Sequence, residues 1–292
     1  MAIIDDLLGT VEGDADLRQC QVGPRSAAVW SRGLGLASLT APAAGGVPAQ
    51  VSNSARLTRS VCCARSACTP GETLRAGPAN ATSELLVSDR GMPAHRVPAT
   101  GRWAPRLARS AGQLAPQARS DDPTLAAVGL AAINSLLRPD PDQLVAGNAY
   151  ELILRHGEGK RVTVVGHFPF VEQLRRQVEQ LWVLELEPHD GDLPAAQADA
   201  VIPGSDVVAI TGSTLVNHTL DRLLALCSRQ FVLLLGPTTP LSPVLFEHGV
   251  AALGGTLVDR PGEVLRQVAE GVSLRRLEGV RQVIWRRDRR DR

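Results

Sequence analysis

The sequence is poor in aromatic residues: Phe, Trp and Tyr make up 3% of its 292 residues, with a single Tyr. Stacking platforms for nucleobases are therefore scarce. A formal net charge of +1 supplies no basic stripe for a phosphate backbone either, so no nucleic-acid partner is expected. With so few rings, the core has to be built from Leu, Val and Ala. Lysine is almost missing as well: of 31 basic residues only Lys160 is a lysine, a bias that accompanies abundant Ala, Gly and Pro in a GC-rich coding sequence. No apolar run reaches the ~18 residues needed to span a bilayer. The opening stretch carries Asp5 and Asp6 where a secretory signal has positive charge. These absences lead us to expect a cytoplasmic protein with no membrane partner. The 5 Cys are an odd number without a secretory signal, which argues against a disulfide scaffold, and Cys227 falls on the core stripe of a helix.

A chain of this length exceeds the ~100–150 residues of a usual domain, so two domains are expected, divided near residue 140. In residues 1–140, a short amphipathic helix over 2–12 precedes strand candidates at 20–22, 26–31 and 34–39, the last two joined by a turn at Arg32-Gly33. Asp122-Pro123 then opens a helix at 124–137 that is apolar on nearly every face and should be buried. Its polar exception, Asn134, needs partners for its amide. Between these parts, about 41–110 reads as a low-complexity insertion. From Ala41 to Ser120 there are 10 Arg, 8 Pro and only 3 acidic residues (Glu72, Glu84, Asp89), with no sustained period. GC-rich DNA read out of frame also gives such mixtures, and resequencing the locus separates the two. Cys62, Cys63, Cys68 and His95 within it fit no tight Cys-x-x-Cys knuckle.

From Asn148 onwards strand and helix patterns alternate. A helix at 149–155 leads to apolar strand candidates at 161–166, 182–188, 206–212, 230–236 and 254–259. Helical stripes at 170–181, 195–200, 213–227, 242–250 and 261–271 separate and follow them. Five such alternations imply right-handed crossovers and a Rossmann-like parallel sheet over 141–292. In an open sheet of that kind ligands bind beyond the carboxyl ends of the strands, so the loops there are the candidate site.

The first loop holds Gly166, His167, Phe168 and Pro169. It has one Gly and a Pro where a dinucleotide fingerprint has three glycines, so routine NAD binding is disfavoured. The second holds Glu185, Glu187, His189, Asp190 and Asp192. The third, with Thr211, Gly212, Ser213, Thr214, Asn217 and His218, pairs a tight turn with hydroxyls at a helix start, where an anion can sit and where Ser213 can also simply act as a cap. The fourth holds Gly236, Pro237 and Thr238. His167, His189 and His218, with Glu185 and Asp192, are the nitrogen and oxygen donors a divalent borderline metal prefers, and Glu185, His167 and His218 are the candidates for proton transfer. No local pair has helical ligand spacing, so the grouping rests wholly on the fold. There is no Gly-x-Ser-x-Gly elbow for acyl chemistry.

The ordered motifs GHFPF, ELEPHDGDLP, ITGSTLVNHTLDRLL, GPTTPLSPVLFEHGV and GGTLVD closely resemble the "putative heavy-metal chelation" domain family over about 148–285. The resemblance implies a first domain similar to the N-terminal domain of enolase, a Rossmann-like second domain and a site in the cleft between them. It marks Gly166, Phe168 and Pro169, then Thr211, Gly212, Asn217 and Thr219, then Gly236, Pro237 and Pro240. It implies binding, chelation or processing of a heavy metal or an anionic metal-chelating small molecule, with a divalent metal as the implied cofactor and a homo-oligomer compatible. The competing readings are an enzyme with a nucleotide-like cofactor and a non-catalytic metabolite sensor.

Overall fold

The computed structural model describes residues 2–39 and 108–287, together with a short hairpin. At the N-terminus, helix α1 (Ala2–Gly9) leads into an antiparallel meander of β1 (Gln19–Val22), β2 (Ser26–Trp30) and β3 (Leu34–Ser38). The hairpin, β4 (Ser83–Leu85) with β5 (Val97–Ala99), lies in the expected insertion, and the remainder of that stretch up to residue 107, including Cys62, Cys63, Cys68 and His95, lies outside the described residues. Helices α2 (Ala111–Leu114) and α3 (Pro123–Leu136) follow. As its sequence demands, α3 is buried, and the Asp122 side chain caps it by accepting from the Thr124 and Leu125 amides.

Strand alternation sorts the meander between two helices. Ala27, Val29 and Ala37 face the core that contains α3, whereas Ala28, Leu34 and Leu36 face Val264, Leu265 and Val268 of helix α9 (Pro261–Ala269). A helix from the far end of the chain thus completes the N-terminal sheet.

The second sheet has eight strands: β6 (Leu144–Ala146), β7 (Arg161–Val165), β8 (Gln180–Glu185), β9 (Leu193–Pro194), β10 (Val207–Thr211), β11 (Phe231–Leu235), β12 (Ala252–Val258) and β13 (Val280–Arg286). Their order is β6-β13-β12-β11-β10-β7-β8-β9. The six from β7 to β12 run parallel, and β13 and β6 add an antiparallel edge. Numbered along the chain, the parallel strands lie in the doubly wound order 3-2-1-4-5-6. Both faces are covered, which is why the strands read as continuous apolar runs. Val208, Ile210, Val232 and Leu234 point towards the core shared with α1 and α3. Val162, Val164, Ala209 and Leu233 point towards helices α4 (Ala149–Gly157) and α5 (Val171–Arg175).

Three expectations need correction. The helix expected over 170–181 shrinks to α5, because Gln180 must already pair with Arg161 at the start of β8. After α6 (Ala198–Val201) and β10, the helix expected over 213–227 breaks into a 3-10 turn at Gly212–Leu215 and α7 (Leu220–Ala225). There the Asn217 side chain accepts from the Thr219 amide and hydroxyl, and His218 takes a positive φ of 57°. Such a local turn competes with helical bonding. The helix expected over 242–250 is a single turn, α8 (Val244–Glu247). The antiparallel edge β6–β13 had no counterpart in the sequence pattern.

At the amino ends of β7 and β10, Arg161 donates from its amide, Nε and Nη2 to Asp206 at 3.0, 3.1 and 3.1 Å. The side-chain hydrogen bonds from Arg161 hold the Asp206 carboxyl below the usual carboxylate range. The stabilisation is therefore present above the unfolded pKa of about 3.9 and fades as pH falls through the lower, folded value. Carboxyl-carbon NMR titration should find Asp206 titrating below the ordinary Asp range, and Arg161→Ala, which removes the guanidinium bonds but keeps the amide one, should raise it part of the way back.

Candidate functional site

The switch in strand order falls between β7 and β10, and there the two loops diverge to opposite faces. Gly166 ends β7 at φ 99°, and a Cβ on it would lie 3.1 Å from Thr211 Cγ2. Gly236 ends β11 at φ 110°. Both turn the chain sharply without a side chain in the way. Two neighbouring cavities open at this edge. One, of about 430 Å³, is bordered by Gly166, His167, Glu185, Glu187, Thr214 and Asn217, among others. The other, of about 360 Å³, is bordered by Phe168, Gly236, Pro237 and Thr238, with Arg25 and Ser38 from the meander. Leu39, Thr211, Ser213 and Arg275 line both, so the two form one cleft between the strand ends and the N-terminal sheet. A third cavity, of about 350 Å³ at the β6–β13 edge, shares no lining residue with it.

The fourth loop is fixed from the N-terminal side. Asn134 of α3 donates to the Leu36 and Thr238 carbonyls, both at 3.0 Å, and the Ser38 amide donates to Thr238 Oγ1 at 3.0 Å. The amide flagged in the sequence thus ties the meander to the cleft loop. Gly212 lies beneath the cleft, where a Cβ would stand 2.7 Å from the Thr239 amide nitrogen.

In the third loop the cap is Thr211, whose side chain accepts from the Ser213 amide, so Ser213 does not cap its own turn. Thr214 is buried and donates to the Thr211 carbonyl at 2.7 Å. The Ser213 hydroxyl, 3.3 Å from Thr211 Oγ1, borders both cavities.

The carboxylates and imidazoles divide unequally. Glu185 accepts the His167 amide at 2.6 Å on one oxygen and the Leu186 amide at 3.1 Å on the other, which fixes the first loop against β8. Asp192, its side chain only 1% exposed, meets His167 Nδ1 at 2.8 Å and accepts the His189 amide at 3.2 Å. The His189 ring stands edge-on to His167 with centroids 5.2 Å apart. His218 is turned away from the cleft, with Nε2 2.9 Å from the Ser120 carbonyl oxygen. Pro169 and Asp190 are exposed and line neither cavity. Among the described residues no three His, Cys, Asp or Glu side chains converge on a metal position, so they do not form a chelating cage. Burial pushes the Cys20 thiol up to about 12 and that of Cys227 up to about 11, which keeps both protonated at neutral pH.

The cleft residues that the strand-loop reading missed are Arg25, Ser38, Leu39 and Arg275. Arg275 follows α9, its Nη2 donates to the His167 carbonyl at 2.6 Å, and its guanidinium lies 4.9 Å over the Phe168 ring. Desolvation lowers its pKa and Glu185 opposes this; the side chain remains solvent-exposed and the guanidinium stays charged.

Two family models described as "Putative heavy-metal chelation" match, one over residues 148–285 and one over 4–137. An uncharacterized protein of Methanocaldococcus jannaschii is 32% identical over 139 residues, which are 45% of this chain and 54% of that protein. The chain therefore spans about half the length of that relative. A crystal structure of a protein of unknown function from Desulfitobacterium hafniense DCB-2 superposes with a TM-score of 0.70 at 24% identity, covering 98% of each chain. Another, from Pyrococcus horikoshii, gives 0.63 at 17% identity, covering 97% of this chain and 98% of that one. At these identities the likeness is one of fold.

Proposed function

The chain belongs to the family described as "Putative heavy-metal chelation", and on that premise we propose that its cleft binds an anionic small molecule of the metal-chelating class, with the metal arriving as cargo. The residues up to about 140 form one domain and wall, and those from 141 the other. The observation that carries this reading is Arg275: a charged guanidinium on the rim of both cavities, anchored by a carbonyl and an aromatic face. Ser213 and Arg25 offer further donors around the same space. A polycarboxylate suits that set of hydroxyls and guanidinium groups, whereas a bare cation finds no cage among the described side chains.

Citrate titrated calorimetrically into the purified protein should bind, and Arg275→Ala should weaken it about tenfold, the equivalent of one charge-assisted hydrogen bond of about 1.5 kcal/mol. Equal citrate affinity in wild type and variant would sink the assignment.

A further inference from the structure

His167 differs from the other donors of the cleft in how its ring is held. Asp192 Oδ2 already accepts the His189 amide, so it faces His167 Nδ1 as an acceptor, and the ring proton belongs on Nδ1. That leaves Nε2 with its lone pair on a residue that borders the larger cavity and whose side chain is 34% exposed. The other Asp192 oxygen, Oδ1, is buried with no hydrogen-bond partner. A carboxylate kept in that position at such a cost needs a use, and fixing the tautomer and direction of an imidazole is one. A buried carboxylate behind one ring nitrogen is also the outer shell that accompanies a metal-bound histidine, where it raises ligand basicity.

We propose that His167 Nε2 is the protein's own donor to the metal of a bound chelate: the small molecule supplies the remaining ligands and the anionic charge, and Asp192 aims the imidazole. This rests on the reading of the cleft as an anion site. It accounts for one oriented imidazole standing without a cage. Glu185 instead holds the first loop in place, each of its oxygens accepting a backbone amide.

The copper(II) complex of nitrilotriacetate, which leaves a coordination position open, tests this against metal-free nitrilotriacetate. In histidine-selective NMR spectra, half an equivalent of the copper complex should broaden the His167 Cε1–H signal ahead of those of the other histidines. His167→Gln should abolish that binding mode. Asp192→Asn should weaken binding of the copper complex by roughly 10–100-fold. Cooperative urea unfolding with an unchanged slope and a wild-type far-UV circular dichroism spectrum show that both variants are folded. A His167 signal that survives a full equivalent of the copper complex, while metal-free nitrilotriacetate binds, overturns the assignment of His167 alone. Failure of metal-free nitrilotriacetate to bind the wild type overturns the anion site and this proposal with it.

Discussion

Replacing Gly35 by Ala should destabilise the protein by about 3 kcal/mol, the upper range of overpacking costs, read as a lower urea midpoint with unchanged slope. A Cβ at this position would lie 2.0 Å from the Ala131 carbonyl oxygen and 2.5 Å from the Ser135 nitrogen. Both atoms belong to the backbone of α3 and cannot rotate aside, so helix and strand must separate. The damage should extend further. Asn134 sits on the same turn of α3, with its own Cβ 2.8 Å from the added methyl, and a displaced helix pulls its amide from Leu36 and Thr238. Citrate binding should therefore weaken along with stability. Gly262→Ala is the matched control. It lies exposed in the first turn of α9 with nothing within 4 Å of the added methyl, and should be neutral or stabilising by up to about 1 kcal/mol.

The second large effect is expected for Asn134→Asp, a change that leaves size and shape alone. Two N–H bonds to carbonyl oxygens become contacts between a carboxylate and those same oxygens, in a place where Asn134 Oδ1 is itself buried without a partner. A buried charge left uncompensated costs about 3–5 kcal/mol; partial exposure of the residue places this case at about 3. Desolvation and the two carbonyls raise the pKa of the introduced carboxyl in the folded state above its unfolded value. The penalty is accordingly full at neutral pH and relieved as pH falls through that raised value, so the gap in urea midpoint between variant and wild type should narrow on acidification. Hydrogen exchange at Thr238 and Thr239 should accelerate more than exchange in β10, because the lost bond anchors the loop and leaves the strand untouched.

The α/β character of the C-terminal half was legible because parallel strands covered on both faces need unbroken apolar runs, and Arg161–Val165, Val207–Thr211 and Phe231–Leu235 have them. Asn134 was legible as a buried amide in need of partners, though which partners was not. The helix ends were less readable. Nothing in the apolar stripe of 213–227 shows that Asn217 will turn back on Thr219 and leave His218 at positive φ. That local turn sends a histidine expected in the cleft to the Ser120 carbonyl instead. Nor does the spacing of His167 and Asp192, 25 residues apart, indicate that they touch.

Strand–helix alternation and, through the doubly wound logic, the edge at which a ligand should bind follow from the amino-acid order alone. Periodicity and chain direction are local properties, and they suffice for that. Which side chains share the space is settled only by the packing of the folded chain. Arg275 arrives from beyond α9, while Arg25, Ser38 and Leu39 arrive from the meander. Their meeting depends on α9 packing against β2 and β3, and on the close approach of α3 to Gly35. Such contacts between distant segments follow from the complementarity of two packed surfaces, which leaves no period or motif in the chain.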